Sequence, residues 1–167
     1  MIFDAGRRAL RIEHAGLFRE TAALAFGIAA IPGDEEMELL TGLALDQGRG
    51  RDAYGGEVDG RTRAFALYGL GLVAHDSTDL AIKRKSFEVL RRVLTDRSLA
   101  ERNLRVAAIN GMSVLNIPTS TEADKALLDE VLKSLEGYFM KQLGAGEALI
   151  QSHVPTSIAK LIGRDHK

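Results

Sequence analysis

The sequence predicts an all-α protein, an α-α superhelix built from about three helix pairs and a final unpaired helix. Three observations predict this class. Similar small and apolar residues recur in stretches that begin at Thr21, Arg63 and Arg105, at intervals of about 42 residues. Amphipathic segments lie between these stretches. No segment shows the sustained alternation of polar and apolar residues that is typical of β-strands.

The first helix of each pair, termed helix A, contains residues that recur at the spacing of one helix face. Gly27, Gly69 and Gly111 occupy one such position. A glycine inside a helix costs about 1 kcal/mol relative to alanine. The column therefore favours close packing against a neighbouring helix over a chance recurrence of small residues. A fourth copy begins at Gln151 and forms the final helix, which Pro155 is expected to kink.

The second helix of each pair, termed helix B, is amphipathic. The three B helices are predicted at Glu35–Asp46, Asp79–Leu94 and Glu122–Lys141. In the middle one, the predicted apolar side carries Ile82, Ser86, Val89, Leu90 and Val93. Two capping boxes are predicted: Ser98 with Glu101 ahead of the third A helix, and Thr119 with Glu122 ahead of the third B helix.

The chain is expected to be one repeat domain with a short extension before it. Residues 1–16 form the lead-in or a short helix, and residues 17–167 form repeats at about 17–58, 59–100 and 101–146, with a partial copy at 147–167. The final A helix carries Ile158, Leu161 and Ile162, with no B helix after it. We therefore expect a continuation into a longer solenoid or self-association at this end. The alternative is that a bend at Pro155 folds the helix back onto the third B helix.

Arginine also recurs, because Arg63 and Arg105 share a position in helix A and follow Asp59 and Glu101 by four residues. The small and apolar columns, with an arginine in helix A, resemble HEAT repeats, including the bacterial HEAT-like repeats grouped with phycobilisome lyases. The resemblance covers roughly residues 17–163 and implies an α-solenoid. We expect both guanidinium groups to point along the stack and to bond to acidic or carbonyl groups of adjacent turns.

Composition and charge exclude several classes of protein. The chain has no cysteine, which excludes disulfides and thiolate chemistry. The net charge of −1 argues against a dedicated nucleic-acid binder, which needs an excess of Lys and Arg. Residues 33–60 and 106–150 are mainly acidic, whereas residues 61–105 are mainly basic. No apolar stretch reaches the ~20 residues that span a bilayer, and no signal peptide is recognised, so a cytoplasmic protein is expected.

The histidines do not indicate a metal site. His14, His75, His153 and His166 form neither a His-Glu dipeptide nor an H-x-x-x-H spacing. We therefore expect no metal, no cofactor and no catalytic residue, and reject a di-iron hydroxylase. The glycine-rich segment Gly48–Gly60 contains a G-x-G but lacks the strand and the GK[ST] of a phosphate loop. A flexible inter-repeat loop is expected there, with a role as a contact element left open.

The densest positive cluster lies in the second B helix, at Lys83, Arg84, Lys85, Arg91 and Arg92. A nucleic-acid site would also need aromatic residues, and this helix offers only Phe87, on its apolar side. A solvated helix face, or contact with the acidic neighbouring helices, is the simpler interpretation. If the protein has a partner, we expect it to meet this helix at Arg84, Lys85, Arg91 and Arg92.

The favoured function is a non-enzymatic scaffold that binds another protein along the surface of its B helices. An extended row of helices provides contact area without special chemical residues. One alternative is an enzyme or enzyme accessory of the lyase-like or glycosylase-like HEAT groups, which a clustered acid in a concave pocket would favour. Another is a purely structural segment of a larger protein.

Overall fold

The computed structural model describes residues 21–25, 29 and 33–163, and every regular element in these ranges is helical. Residues 21–25 are helical. The helices that follow are α1 Asp34–Leu45, α2 Gly48–Tyr54, α3 Gly60–Asp76, α4 Leu80–Thr95, α5 Arg102–Ser113, α6 Glu122–Phe139, α7 Ala148–Gln151 and α8 His153–Ile162. Two 3-10 turns, Arg97–Leu99 and Ala145–Glu147, precede α5 and α7.

The predicted A helices from Arg63, Arg105 and Gln151 correspond to α3, α5 and α8, and the predicted B helices to α1, α4 and α6. Only residues 21–25 and 29 of the first predicted A helix, from Thr21, are described. Helix α3 contacts α5, and α5 contacts α8. Helix α1 packs on α3, α4 packs on both α3 and α5, and α6 contacts α4 and α8. The core between them includes Leu67, Leu70, Leu90, Leu104 and Met112, all with no exposed surface. Burying each such side chain contributes about 1.5–3 kcal/mol, so these contacts hold the helices together.

Side chains cap the N-termini of α3 and α4. The Asp59 carboxylate accepts hydrogen bonds from the backbone N–H groups of Arg61 and Thr62 at 2.8 and 3.0 Å. It also accepts a 2.6 Å bond from the Tyr54 hydroxyl. Burial by itself raises the pKa of Asp59, but these hydrogen bonds outweigh it and hold the pKa below its ordinary value. At α4 the Asp79 carboxylate accepts from the N–H of Ala81.

Both predicted capping boxes are wrong in position. The box of α6 lies two residues later than predicted, between Thr121 and Asp124. Ser98 does not cap α5; its backbone and hydroxyl both donate to Asp96, which caps the preceding 3-10 turn. Glu101 is the N-cap residue of α5 but makes no side-chain cap bond, because its carboxylate faces Arg63 instead.

The glycine-rich segment Gly48–Gly60 is not a continuous loop, because its first half forms α2. Gly50 lies against Gly42 of α1, and a Cβ at either position would overlap the backbone of the other helix. These two glycines therefore permit a close helix crossing rather than providing flexibility. Positive φ angles occur at Gly48, where α2 begins, and at Gly55 and Gly56 in the second half, with values of 48°, 87° and 156°.

The buried side of α4 differs from the predicted one. Its buried residues are Lys83, Ser86, Phe87, Leu90, Val93 and Leu94. Ile82 and Val89, which were predicted to be on the buried side, are only partly buried. The apolar side is therefore rotated toward Phe87, and Lys83 lies inside the core.

A break at Ser152, three residues before Pro155, separates α7 from α8. Helix α7 ends at Gln151, the residue whose carbonyl the missing N–H of Pro155 would have bonded. Pro155 itself lies in the first turn of α8, where no intrahelical donor is needed. The Gln151 side-chain amide donates to the carbonyls of Tyr138, Phe139 and Lys141 at 2.9–3.0 Å. The Gln151 side chain thereby supplies a hydrogen-bond donor to backbone carbonyl groups at the C-terminal end of α6 and just after it.

Candidate interaction surface

The basic residues of α4 point in two directions. Arg84 and Arg91 are seven residues apart, as are Lys85 and Arg92, so each pair occupies one side of the helix two turns apart. The first pair faces α6 and the second faces α1. The structure therefore does not gather the four candidate residues into one patch.

On the α6 side, the positive charges are engaged by the protein itself. The Arg84 guanidinium binds both carboxylate oxygens of Glu130 at 3.1–3.2 Å. This hydrogen bonding raises the pKa of Arg84 above its ordinary value. The Arg91 guanidinium lies over the Phe87 ring, 5.7 Å from its centroid. Between α4 and α6 lies a groove of about 380 Å³, the α4–α6 groove, lined by Arg91, Glu130 and Tyr138 among others.

On the α1 side, Lys85 and Arg92 line a larger groove of about 700 Å³, the α1–α4 groove. Its floor is mainly apolar, with Met37, Leu45 and Val89. Its α1 rim carries acidic residues, Asp34 and Glu38. The two rims meet at one end, where Lys85 lies 3.4 Å from Asp34. Both side chains are well exposed, at 61% and 93%, so this ion pair stabilises the fold only weakly.

Lys83, which the sequence places in the same cluster, is only 2% exposed. Its ammonium donates to the carbonyls of Ala74 and Leu115 at 2.5 and 3.0 Å. Burial lowers the pKa of Lys83, and the charges of Asp124 and Asp76 oppose that change. Lys83 therefore links the C-terminal end of α3 to the segment after α5 and takes no part in the surface.

The two recurrent arginines, Arg63 and Arg105, link their helices to residues distant in the sequence. The Arg63 guanidinium donates to the Ala44 carbonyl at 3.1 Å and lies 3.6 Å from Glu101. The Arg105 guanidinium binds Glu147 at 2.7 Å. The predicted contact with a carbonyl or acidic group is thus found at both arginines. The acidic partner is not the residue four positions earlier but a glutamate much later in the sequence, Glu101 for Arg63 and Glu147 for Arg105.

Glu147 also accepts a hydrogen bond from the Tyr138 hydroxyl at 3.1 Å. Burial, followed by this hydrogen bond and the negative charge of Glu147, raises the pKa of Tyr138 to about 12. One carboxylate therefore joins Arg105 of α5 to Tyr138 of α6. This network fixes the B helix α6 relative to the helix before it.

Of the glycine column, Gly111 marks a close helix contact. A Cβ added at Gly111 would lie 2.9 Å from Leu90 Cδ2 and 3.0 Å from the Leu67 carbonyl oxygen. Gly71 lies two residues after Gly69, the column glycine of α3. A Cβ added at Gly71 would lie 2.9 Å from Gly111 Cα, so this position also leaves no room for a side chain. Gly69 is buried in α3, and Gly27 lies outside the described residues.

The described histidines are separated from each other. The His75 ring lies 2.9 Å, through Nδ1, from the Val114 carbonyl oxygen, and His153 is exposed at the start of α8. His14 and His166 lie outside the described residues. Within residues 21–25, 29 and 33–163, no group of three or more His, Asp or Glu side chains is arranged to hold a metal ion.

Apolar side chains are exposed at the end of α6, in the turn that follows and at the start of α7. Phe139, Met140, Leu143 and Leu149 are 36–76% exposed. Phe139 and Met140 also line a groove of about 470 Å³ against Val154, Pro155 and Ile158. Ile158 and Leu161 pack against the core and are partly buried. The exposed large apolar side chains therefore lie between the end of α6 and α7, whereas Ile158 and Leu161 of α8 are partly covered.

No helix in the described ranges is both long and apolar enough to cross a membrane. Comparisons of the chain with protein-family models, with curated protein sequences and with solved structures find no match.

Proposed function

We propose that this chain is a HEAT-like α-solenoid that binds another protein along the surface of its B helices. The α1–α4 groove carries the proposal. It combines about 700 Å³ of open space, an apolar floor and charged residues at both rims. A mainly apolar centre with a polar margin is the usual composition of a protein-binding surface.

The contacts between repeats support a scaffold role. Arg63 and Arg105 each join one repeat to the next, and Gly71 and Gly111 bring α3 and α5 close together. Such contacts hold the B helices in fixed relative positions, so that a partner meets a preformed surface and loses little affinity to reorganisation.

The proposal is tested by reversing the charge of the groove. Lys85→Glu with Arg92→Glu removes the basic rim, and both side chains are exposed, so helicity and melting temperature should change little. The matched control is Lys125→Glu with Lys160→Glu, which makes the same charge change outside both B-helix grooves.

The three immobilised proteins are incubated with a cell extract of the source organism, and the bound proteins are quantified by mass spectrometry. We expect a set of proteins that binds the wild type and the control and is depleted about tenfold on the groove variant, equivalent to about 1.4 kcal/mol of binding free energy. Equal capture by all three proteins at moderate salt would contradict the proposal.

A further inference from the structure

We infer that the occupant of the α1–α4 groove is one amphipathic helix of a partner protein, about three turns long, with acidic residues along one flank and basic residues along the other. This inference rests on the proposed function and specifies the partner at the same site. Shape, hydrogen bonding and charge each contribute to it.

The shape of the groove fits a helix. Its two walls are helices, and its floor contains Met37, Leu45 and Val89, with Thr41 and Gly42 between them. Helix α1 is 12 residues long, which corresponds to about 18 Å. An occupant that follows α1 therefore uses about three helical turns and presents apolar residues at i, i+3, i+4 and i+7 to the floor.

Hydrogen bonding favours a helix over an extended peptide. A β-strand needs backbone partners along its length. The two long walls of the groove, α1 and α4, have backbone groups that already bond within each helix, and only residues 47–49 at the start of α2 complete the lining. An amphipathic helix brings its own backbone bonds and needs only side-chain contacts. The groove therefore accepts a helix without leaving buried N–H or C=O groups unpaired.

The charges of the rims define the flanks of the occupant. The α4 rim carries Lys85 and Arg92 with one acidic residue, Glu88, between them, and Arg92 also lies 3.6 Å from Asp96, just after the end of α4 and outside the groove lining. The α1 rim carries Asp34 and Glu38, with Arg49 of α2 lying 3.4 Å from Glu38. Among the residues that line the groove, the α4 rim is therefore net positive. The opposite rim, which counts Asp34, Glu38 and Arg49, is net negative. An occupant with a single sign of charge would be attracted by one rim and repelled by the other.

The contact between Asp34 and Lys85 at one end of the groove is compatible with binding. The two side chains are mostly exposed, so their ion pair is easily exchanged for pairs with an incoming helix. A basic residue of the occupant then pairs with Asp34, and an acidic residue pairs with Lys85.

The test uses a displayed library of helical peptides of about 15 residues, with fixed leucines at i, i+3, i+4 and i+7 and randomised flanking positions. The library is selected on the wild-type protein. We expect enriched peptides to carry acidic residues on one flank and basic residues on the other. These peptides should bind Lys85→Glu/Arg92→Glu about tenfold more weakly, and replacing their acidic flank with lysines should restore binding to that variant.

The position of the bound peptide is read from a single label. Because the chain has no cysteine, Thr41→Cys provides one thiol at the groove floor for an environment-sensitive fluorophore. Ser134→Cys in the α4–α6 groove is the matched control. Enriched peptides should change the fluorescence of the label at position 41 and leave that at position 134 unchanged.

Several outcomes would overturn the inference. These are enriched flanks of one sign or without charge, equal binding to the reversed variant, a response at position 134 instead of position 41, or occupation of the groove by a second copy of the chain. If captured proteins still depend on Lys85 and Arg92 while the flank pattern fails, only the inference is wrong. If capture is independent of Lys85 and Arg92, the proposed function itself fails.

Discussion

At the residue scale, the ammonium of Lys83 is a charged group buried in the core. A buried charge requires polar partners, and Lys83 finds them in the carbonyls of Ala74 and Leu115. Carbonyl groups at a helix C-terminus lack intrahelical donors, so a lysine there satisfies acceptors that would otherwise need water. Asp124 and Asp76 add compensating negative charge.

We expect Lys83→Met to destabilise the protein by about 1–3 kcal/mol, because two carbonyl groups lose a buried charged donor while the chain volume is nearly kept. Lys125→Met, at an exposed position of α6, is the control and should change stability by less than about 0.5 kcal/mol. Urea unfolding at neutral pH measures both. Equal free energies of unfolding for the two variants would show that the Lys83 ammonium does not stabilise the fold.

The lowered pKa of Lys83 predicts that the free energy of unfolding depends on pH. Burial lowers the pKa of Lys83 in the folded protein, so between that pKa and the ordinary lysine value the unfolded chain binds more protons. The stability of the wild type therefore gains from this group as pH rises toward about 10. Lys83→Met lacks the gain, so its destabilisation should be larger near pH 10 than at neutral pH. Urea unfolding of both proteins at the two pH values checks this, and a destabilisation that shrinks would contradict it.

At the element scale, the crossing of α3 and α5 depends on the absence of side chains. Gly71→Ala places a Cβ 2.9 Å from Val114 Cγ2 and within contact distance of the Gly111 backbone, which cannot yield. We expect a loss of about 1–3 kcal/mol. Gly137→Ala in α6 is the control, since its Cβ meets no atom within 4 Å. That variant should gain about 0.5–1 kcal/mol from helix propensity. Thermal unfolding compares them, and a stabilised Gly71→Ala would refute close packing.

The sequence predicts the longer helices well and their short neighbours poorly. Repeated apolar spacing places α3, α4 and α6 within a few residues of their observed ends. Helix α2 was missed because glycine normally signals a loop, and only the crossing of Gly42 with Gly50 shows why glycine is needed there. The position of Lys83 was missed because helical spacing cannot reveal that two carbonyl groups converge on one buried position.

At the scale of the whole molecule, α4 lies beside two acidic B helices and directs a basic side to each. The sequence identifies the positive cluster and the acidic segments on either side of it. It does not reveal that Arg84 is bound to Glu130 while Lys85 and Arg92 line an open groove. That difference depends on how the helices are rotated against one another, which composition and spacing do not specify.

The exposed apolar side chains predict self-association. The large apolar residues that are exposed in the described chain, Phe139, Met140, Leu143 and Leu149, all lie in the segment from the end of α6 to the start of α7. Exposed large apolar side chains that are close together in the sequence favour an interface. We expect the wild type to form concentration-dependent oligomers in light scattering and to bind a hydrophobic dye. Met140→Lys with Leu149→Lys should shift it to monomer and reduce dye binding.

The control for this prediction is Ala123→Lys with Ala126→Lys, which adds the same charge at exposed positions near the other end of α6. It should keep both the oligomers and the dye signal, because general charge repulsion acts equally in the two variants. Helix α8 packs on α5 and α6, so its own apolar residues are partly covered. A wild type that stays monomeric at high concentration and binds no dye would contradict the predicted self-association.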